Sequence, residues 1–264
     1  KVLPYRPLDL SSSTIEATGL QLSSGFYPAG VELWEIHRCW HIQSTHRLQD
    51  HLSTLRGKAE HKRYHELCNQ YAKNVAIQPW QRVVEKIGKC FLPTGPIRQI
   101  VDLGCGPAPL ALHYATLNLS TEPDKHISVT NIDLCYPEAV RDELKKHGIR
   151  IKIADAAQTG LNSSSYDAAT IAGALYGTNY GDIIKEALRI VRDGGLVIIV
   201  DYPDTWPDQD EKLGGLLKDY GFIHFDEYEG HRLHKTKFRS MTIQKIPNTS
   251  PYPPTEQFPL KKIR

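Results

Sequence analysis

Three acidic residues stand at the ends of three successive strand-like runs: Asp102 in RQIVDL, Asp133 in ISVTNID and Asp155 in RIKIADAA. The first is followed by a glycine-rich turn, VDLGCGPAPLAL (Val101 to Leu112), in which Gly104 and Gly106 precede the apolar start of a helix. Such a turn sets backbone N–H groups and the positive end of a helix dipole against a ligand. A pyrophosphate is a poor match. Asp102 lies two residues before Gly104, Pro107 removes a donor, and Ala108 occupies the place of the third glycine in a dinucleotide fingerprint. A carboxylate repels a pyrophosphate but attracts the ammonium of a bound amino acid, which suits S-adenosylmethionine. Asp133 could accept hydrogen bonds from both ribose hydroxyls, and Asp155 could meet the adenine amino group while Ala156 packs on the ring. Each feature alone also reads as a tight turn or a polar strand terminus. Together they fall on the carboxyl edge of one sheet, where open α/β sheets bind ligands.

The fourth strand-like run, DAATIAG, leaves through ALYGTNY (Ala174 to Tyr180) before a helix begins. Methyl transfer is an in-line attack on a sulfonium carbon, so a protein chiefly positions the nucleophile and excludes water. A C5-pyrimidine acceptor would call for a cysteine nucleophile, which neither AGALYGTN nor VDYPDTWP contains. An exocyclic amine usually goes with Asn or Asp followed by Pro-Pro-aromatic, also missing here. An acceptor ring nitrogen with an available lone pair needs no strong base. Gly173, Ala174 and Gly177 leave room for a base, Tyr176 or Tyr180 could stack on it, and Thr178 or Asn179 could hydrogen-bond its edge. Thr178 and Asn179 read equally as the N-cap of the following helix.

These residues are carried by alternating elements. RQIVDL, ISVTNID, RIKIA, DAATIAG and LVIIVDY are short, β-branched runs of the kind buried on both faces of a parallel sheet. Helical segments are expected from Pro109, from Pro137 and from about Asp182, the last stopped by Gly194 and Gly195. The pattern predicts a doubly wound α/β fold. FIHFDEY and TKFRSMTIQK then form an antiparallel hairpin at the sheet edge. Upstream, PWQRVVEKIGKCF carries an apolar stripe through Trp80, Val83, Val84 and Ile87 behind a helix-initiating Pro79. Residues 31–75 read as two further helices. The expected organisation is an extended arm over 1–29, a helical extension over 30–92, a catalytic domain over 93–246 and a proline-rich tail over 247–264.

At 264 residues the chain is long enough for one large α/β domain with appendages. The net charge of +2 means that any nucleic-acid contact must be local rather than global. No apolar run approaches the roughly 20 residues that span a bilayer. The five cysteines are widely spaced without a CxxC pair, which fits free thiols rather than a disulfide framework or zinc site. His37 and His41 have metal-ligand spacing but no evident third ligand, so no metal is expected. The chain begins with Lys1 and its first residues do not form a signal peptide, so targeting is not legible.

Taken in order, the motifs resemble those of the nucleomethylin-type ribosomal-RNA adenine-N1 methyltransferases, within the class I S-adenosylmethionine-dependent methyltransferases. RYHE (Arg63 to Glu66) resembles the family's YH-containing helix and DLGCGPA (Asp102 to Ala108) its glycine turn. Ile132-Asp133-Leu134 resembles its FDL and Asp155-Ala156-Ala157 its DMA. ALYGTNYGDIIKEALRIVRDGGLVIIVDY is similar to its SLMGTN-type segment, and the likeness extends over about residues 60–245. Departures include Val75-Ala76 for a Trp-Pro, Ala156 for a Met, and Arg192-Asp193 for a Lys-Pro.

The resemblance implies a Rossmann-like seven-stranded sheet and S-adenosylmethionine as cofactor. It implies a cofactor pocket lined by His65, Asp102, Gly104, Gly106, Asp133, Asp155, Ala156 and Ala172. It also implies an acceptor site at Tyr176, Thr178 and Asn179, and ribosomal RNA or a pre-ribosomal particle as partner. Basic groups suited to RNA cluster at His231, Arg232, His234, Lys235, Lys237 and Arg239, and at Lys261, Lys262 and Arg264; residues 1–29 and 247–264 are expected to make protein contacts. The expected compartment is the nucleus or nucleolus, with the mitochondrion as alternative. Two other functions stay open: a ribosome-associated scaffold retaining the fold without activity, and a small-molecule methyltransferase.

Overall fold

The computed structural model describes residues 54, 59–60, 62–63, 66, 79–90, 92–134, 138–175, 180–201, 217, 220–229 and 237–246. Helix α1 (Pro79–Lys89) precedes strand β1 (Gln99–Leu103), helix α2 (Pro109–Asn118), strand β2 (Ser128–Asp133), helix α3 (Glu138–Lys146) and strand β3 (Ile151–Ile153). Strand β4 (Tyr166–Ala172), helix α4 (Tyr180–Ile190), strand β5 (Val191–Asp201), strand β6 (Gly221–Glu229) and strand β7 (Lys237–Lys245) follow. The seven strands form one sheet in the order β3-β2-β1-β4-β5-β7-β6. All pairs from β3 to β5 are parallel, and β7 joins β5 and β6 antiparallel. The expected terminal hairpin is therefore present, with its second strand placed inside the first.

Alternation along the strands sends apolar side chains to both faces, as the unbroken β-branched runs require. On one face Val101, Leu103, Ile171 and Ile199 pack with Ile184, Ala187 and Leu188 of α4. On the other, Ile100, Ala168, Ile198 and Val200 meet Val83 and Ile87 of α1 and Leu110 and Tyr114 of α2. The expected boundary at residue 93 thus cuts through continuous packing, because α1 shares its core with the sheet. Edge strand β3 is short, and exposed Arg150 and Lys152 blunt it against pairing with another chain.

One element differs from expectation. The helix read as running to Gly194-Gly195 ends at Ile190, and β5 begins at Val191, which pairs with Tyr166. The register then shifts so that Leu196 opposes Ala168. Gly194, at φ +78°, turns the chain within this irregularity, while a Cβ on Gly195 would lie 2.6 Å from the Asp167 carbonyl oxygen. The paired glycines serve a bulge and a close approach instead of a helix stop.

At the amino edge of the sheet, Asp167 accepts hydrogen bonds from the backbone N–H groups of Arg98 and Gln99 at 2.5 and 2.9 Å and pairs with Arg192 at 3.0 Å. This end is occupied by structural polar contacts. The carboxyl edge carries the candidate site.

Candidate functional site

The strand order reverses between β1 and β4: the chain winds outward through β2 and β3, then returns to β4 and β5 on the other side of β1. The crossovers leave the sheet in opposite directions there, which opens a crevice at the carboxyl ends. The glycine turn lies at its mouth. The N–H groups of Gly104 and Cys105 both bond the Ile132 carbonyl, at 2.9 and 3.0 Å, tying the turn to β2. Gly104 has φ +73° and Gly106 φ +51°, the left-handed region in which glycine carries no steric cost. Ala108 is also left-handed, at φ 51° and ψ 45°, and caps α2 ahead of Pro109. An L-residue there costs about 1–2 kcal/mol, which sequence spacing alone did not reveal.

Asp133 joins the two strand ends. One carboxylate oxygen accepts the Gly106 N–H at 2.8 Å and the other the Leu134 N–H at 2.8 Å. Two backbone donors hold the carboxylate at the edge of β2, next to the turn. Asp155 follows on the third strand end, where one oxygen accepts the Ala157 N–H at 2.8 Å, and the Ala154 N–H bonds the Asp133 carbonyl at 2.9 Å. Ala156 is buried in the apolar cluster beneath the crevice. The three acids thus occupy adjacent strand ends, and Asp133 is linked by its carboxylate to the turn on one side and by its backbone carbonyl to the Asp155 segment on the other.

Asp102 behaves differently. It is 3% exposed, lies beneath the turn, and its carboxylate accepts the Thr170 hydroxyl at 2.7 Å. Burial pushes its carboxyl up to about 7; the Thr170 hydrogen bond opposes that shift and the Asp133 charge adds to it. The Cys105 thiol beside it is pushed up by burial and by the charges of Asp133 and Asp102, so it is no thiolate nucleophile.

Sequence spacing missed a polar anchor behind the Asp155 segment. Glu186 of α4, 7% exposed, accepts both the N–H and the hydroxyl of Thr159, at 2.9 and 2.5 Å. Arg189 donates to both oxygens of Glu186 at 2.7 Å and to the Leu161 carbonyl at 2.8 Å. Burial alone would raise the Glu186 carboxyl, but hydrogen bonds from Arg189 and Thr159 hold it below its ordinary value. The Glu186–Arg189 spacing is visible on a helix; Thr159 is brought to it only by the fold.

The fourth strand end closes the crevice. Ala172 pairs with Val200, Gly173 turns at φ +68°, and its N–H bonds the Val200 carbonyl at 2.9 Å. Ala174 presses on the glycine turn so closely that a Cβ on Gly104 would lie 2.5 Å from its own Cβ. The Leu175 N–H bonds an Asp201 carboxylate oxygen at 2.9 Å. The structure therefore brings Asp102, Gly104, Gly106, Asp133, Asp155, Ala156 and Ala172 to one edge. His65, Tyr176, Thr178 and Asn179, and both expected basic RNA patches except Lys237 and Arg239 on β7, lie outside the described residues. Among the described residues no group of three metal-ligating side chains occurs, and no helix is long and apolar enough to cross a membrane.

An adenosyl amino acid fits this arrangement chemically. The turn has open space above Gly106, a carboxylate without a cationic partner among its described contacts lies below it, and a second carboxylate flanks it at the β2 end.

A 1,6-didemethyltoxoflavin-N1-methyltransferase from Burkholderia thailandensis, solved with S-adenosylhomocysteine, superposes with a TM-score of 0.52 at 15% identity, covering 70% of this chain and 84% of that one. A TehB-like S-adenosylmethionine-dependent methyltransferase from Corynebacterium glutamicum gives 0.50 at 15% identity, covering 71% and 99%. At these identities the likeness establishes the fold. Among curated proteins, ribosomal RNA-processing protein 8 of Rattus norvegicus is 27% identical over 155 residues, 59% of this chain and 28% of that protein. The 25S rRNA (adenine(645)-N(1))-methyltransferase of Saccharomyces cerevisiae is 32% identical over 134 residues, 48% of this chain and 33% of that protein. The matched stretches thus span a third or less of these relatives' own length. A family model described as "Hypothetical methyltransferase" matches residues 53–261. With the Rossmann-like sheet and the acids at its carboxyl edge, the chain belongs to that methyltransferase family.

Proposed function

We propose that the chain is an S-adenosylmethionine-dependent methyltransferase that acts on ribosomal RNA, with adenine N1 as the acceptor and the nucleolus as its place of work. The observation that carries the cofactor reading is the placement of Asp102, Asp133 and Asp155 on three strand ends around one glycine turn. The rRNA reading is supported by the processing and methylating relatives and by the ALYGTNY segment, which lacks the groups that two other acceptor classes need.

Bound in the crevice, the cofactor would supply an electrophilic methyl group on sulfonium. The chain's own part is to orient. Asp133 would receive the ribose, Asp155 and Ala156 the adenine, and the field of Asp102 the cationic amino acid end. The small residues Gly173 and Ala174 at the β4 exit would let a base approach the methyl group closely. No general base is needed for a ring nitrogen whose lone pair is exposed. The test is mapping N1-methyladenosine in ribosomal RNA with and without the protein, alongside calorimetry of S-adenosylmethionine with the intact chain. Gain of the mark with the protein is expected, with micromolar-scale binding (about −8 kcal/mol). Binding without any change in the mark would remove the rRNA assignment, and no binding would leave the scaffold reading.

Asp102 adds a pH signature. Its folded value, about 7, lies above its ordinary 3.8, so its stabilising contribution is full below about 3.8 and is lost as pH rises through about 7. A cation over the turn favours the ionised form, so cofactor binding near pH 6 should release protons. Calorimetry with S-adenosylhomocysteine in two buffers of different ionisation enthalpy should read up to about one proton released per ligand, absent in Asp102→Asn. Equal release in both proteins would dismiss this role.

A further inference from the structure

We infer that Asp201 is a positioning residue whose carboxylate fixes the exit of β4, from Gly173 to Leu175, against the glycine turn. The inference rests on the proposed transfer reaction, since its consequence is the height at which an acceptor meets the methyl donor.

Asp201 ends β5, where Val197 and Ile199, on the same side of the strand, are both fully buried in the α4-side core. Alternation calls for another apolar side chain at this place. Instead a carboxylate sits there at 0% exposure. Burying a carboxylate costs heavily unless hydrogen bonds compensate it, and departures of this kind from the pattern collect at functional sites. One carboxylate oxygen accepts a hydrogen bond from the backbone of the β4 exit, the Leu175 N–H at 2.9 Å. Leu175 is itself 2% exposed, so this hydrogen bond is made away from water, where the loss of an acceptor costs most.

The exit is consequently held from three sides. The Gly173 N–H is tied to the Val200 carbonyl at 2.9 Å, Ala174 abuts Gly104, and the Leu175 N–H is tied to Asp201. Two consecutive β5 residues, Val200 and Asp201, therefore set both the strand end and the turn leaving it. Loss of the Asp201 acceptor would free Ala174 to move away from Gly104. Misplacement by about 1 Å can cost a transfer reaction on the order of 100-fold.

Hydrogen exchange on the intact chain separates anchoring from general stability. In Asp201→Leu, which keeps apolar packing but has no acceptor, exchange of the Leu175 amide should accelerate by at least about 10-fold, and in Asp201→Asn by less than about 3-fold, with β5 and β7 amides unchanged. S-adenosylhomocysteine affinity should stay within about 3-fold in both variants, while methyl transfer to an rRNA fragment falls on the order of 30- to 100-fold in the Leu variant and recovers in the Asn variant. Unchanged exchange at Leu175, or equal acceleration throughout β5 and β7, would overturn the inference. An inert wild-type protein would overturn the rRNA reading alone, because the exchange measurement requires neither cofactor nor acceptor.

Discussion

Asp133→Ala is expected to abolish S-adenosylmethionine binding while leaving the chain folded. Asp133 stands at the end of β2, and its two oxygens accept the N–H groups of Gly106 and Leu134, each at 2.8 Å. Truncation removes the acceptor expected for the ribose hydroxyls and also leaves the Gly106 N–H of the glycine turn without its Asp133 acceptor. Hydrogen bonds to a charged group contribute about 1.5–3 kcal/mol each, so loss of two corresponds to roughly 100-fold to 10,000-fold in affinity. The fold should survive, because the residue is partly exposed and the turn keeps its two bonds to the Ile132 carbonyl. Calorimetry beside a thermal melt makes the comparison. Wild-type affinity in the variant would show that the β2 terminus is not the ribose site. An unfolded variant would assign Asp133 to the fold, and Asp133→Asn, which keeps an acceptor, would then decide the ligand question.

Gly104→Ala should do comparable damage by a different route. At φ +73° an L-residue costs about 1–2 kcal/mol from backbone sterics alone. The new Cβ would also lie 2.5 Å from the Ala174 Cβ, a distance that forces movement of backbone on one side or the other. Overpacking of this kind costs typically about 1–3 kcal/mol, so a total of roughly 2–5 kcal/mol is expected. The strain is concentrated where the cofactor turn meets the β4 exit. A lowered melting temperature accompanied by at least about a 10-fold loss of S-adenosylmethionine affinity is therefore the expected result. A companion change, Ala174→Gly, removes the opposing methyl and should restore part of the stability in a double-mutant cycle. Additive effects of the two changes would mean that the contact carries no energy.

The two substitutions probe different kinds of sequence information. Asp133 was legible as a member of a repeated pattern, an acid closing an apolar run, and the parallel register brings it beside the glycine turn as that pattern requires. Asp102 was legible by position but not by environment. Its spacing before Gly104 marked it for the cofactor's ammonium, whereas its depth beneath the turn comes from pairing with Thr170 on β4, a neighbour 68 residues away in sequence. Glu186 and Thr159 were not legible as partners for the same reason. Nor was the end of α4: Gly194-Gly195 has the local signature of a helix stop, but strand pairing of Val191 with Tyr166 takes precedence over that local preference.

Local chemistry and periodicity were enough to determine the class of fold, the order of its strands along the chain through β5, the terminal hairpin and the sheet edge on which the three acids fall. These follow from short-range rules, because β-branched runs, glycine turns and helix starts act over a few residues. Tertiary structure alone decided the burial of Asp102, the Thr159–Glu186–Arg189 anchor, the contact between Gly104 and Ala174, and the attachment of Leu175 to Asp201. Each joins segments separated by tens of residues, and its strength depends on the removal of water around both partners. Spacing along a chain carries no record of that.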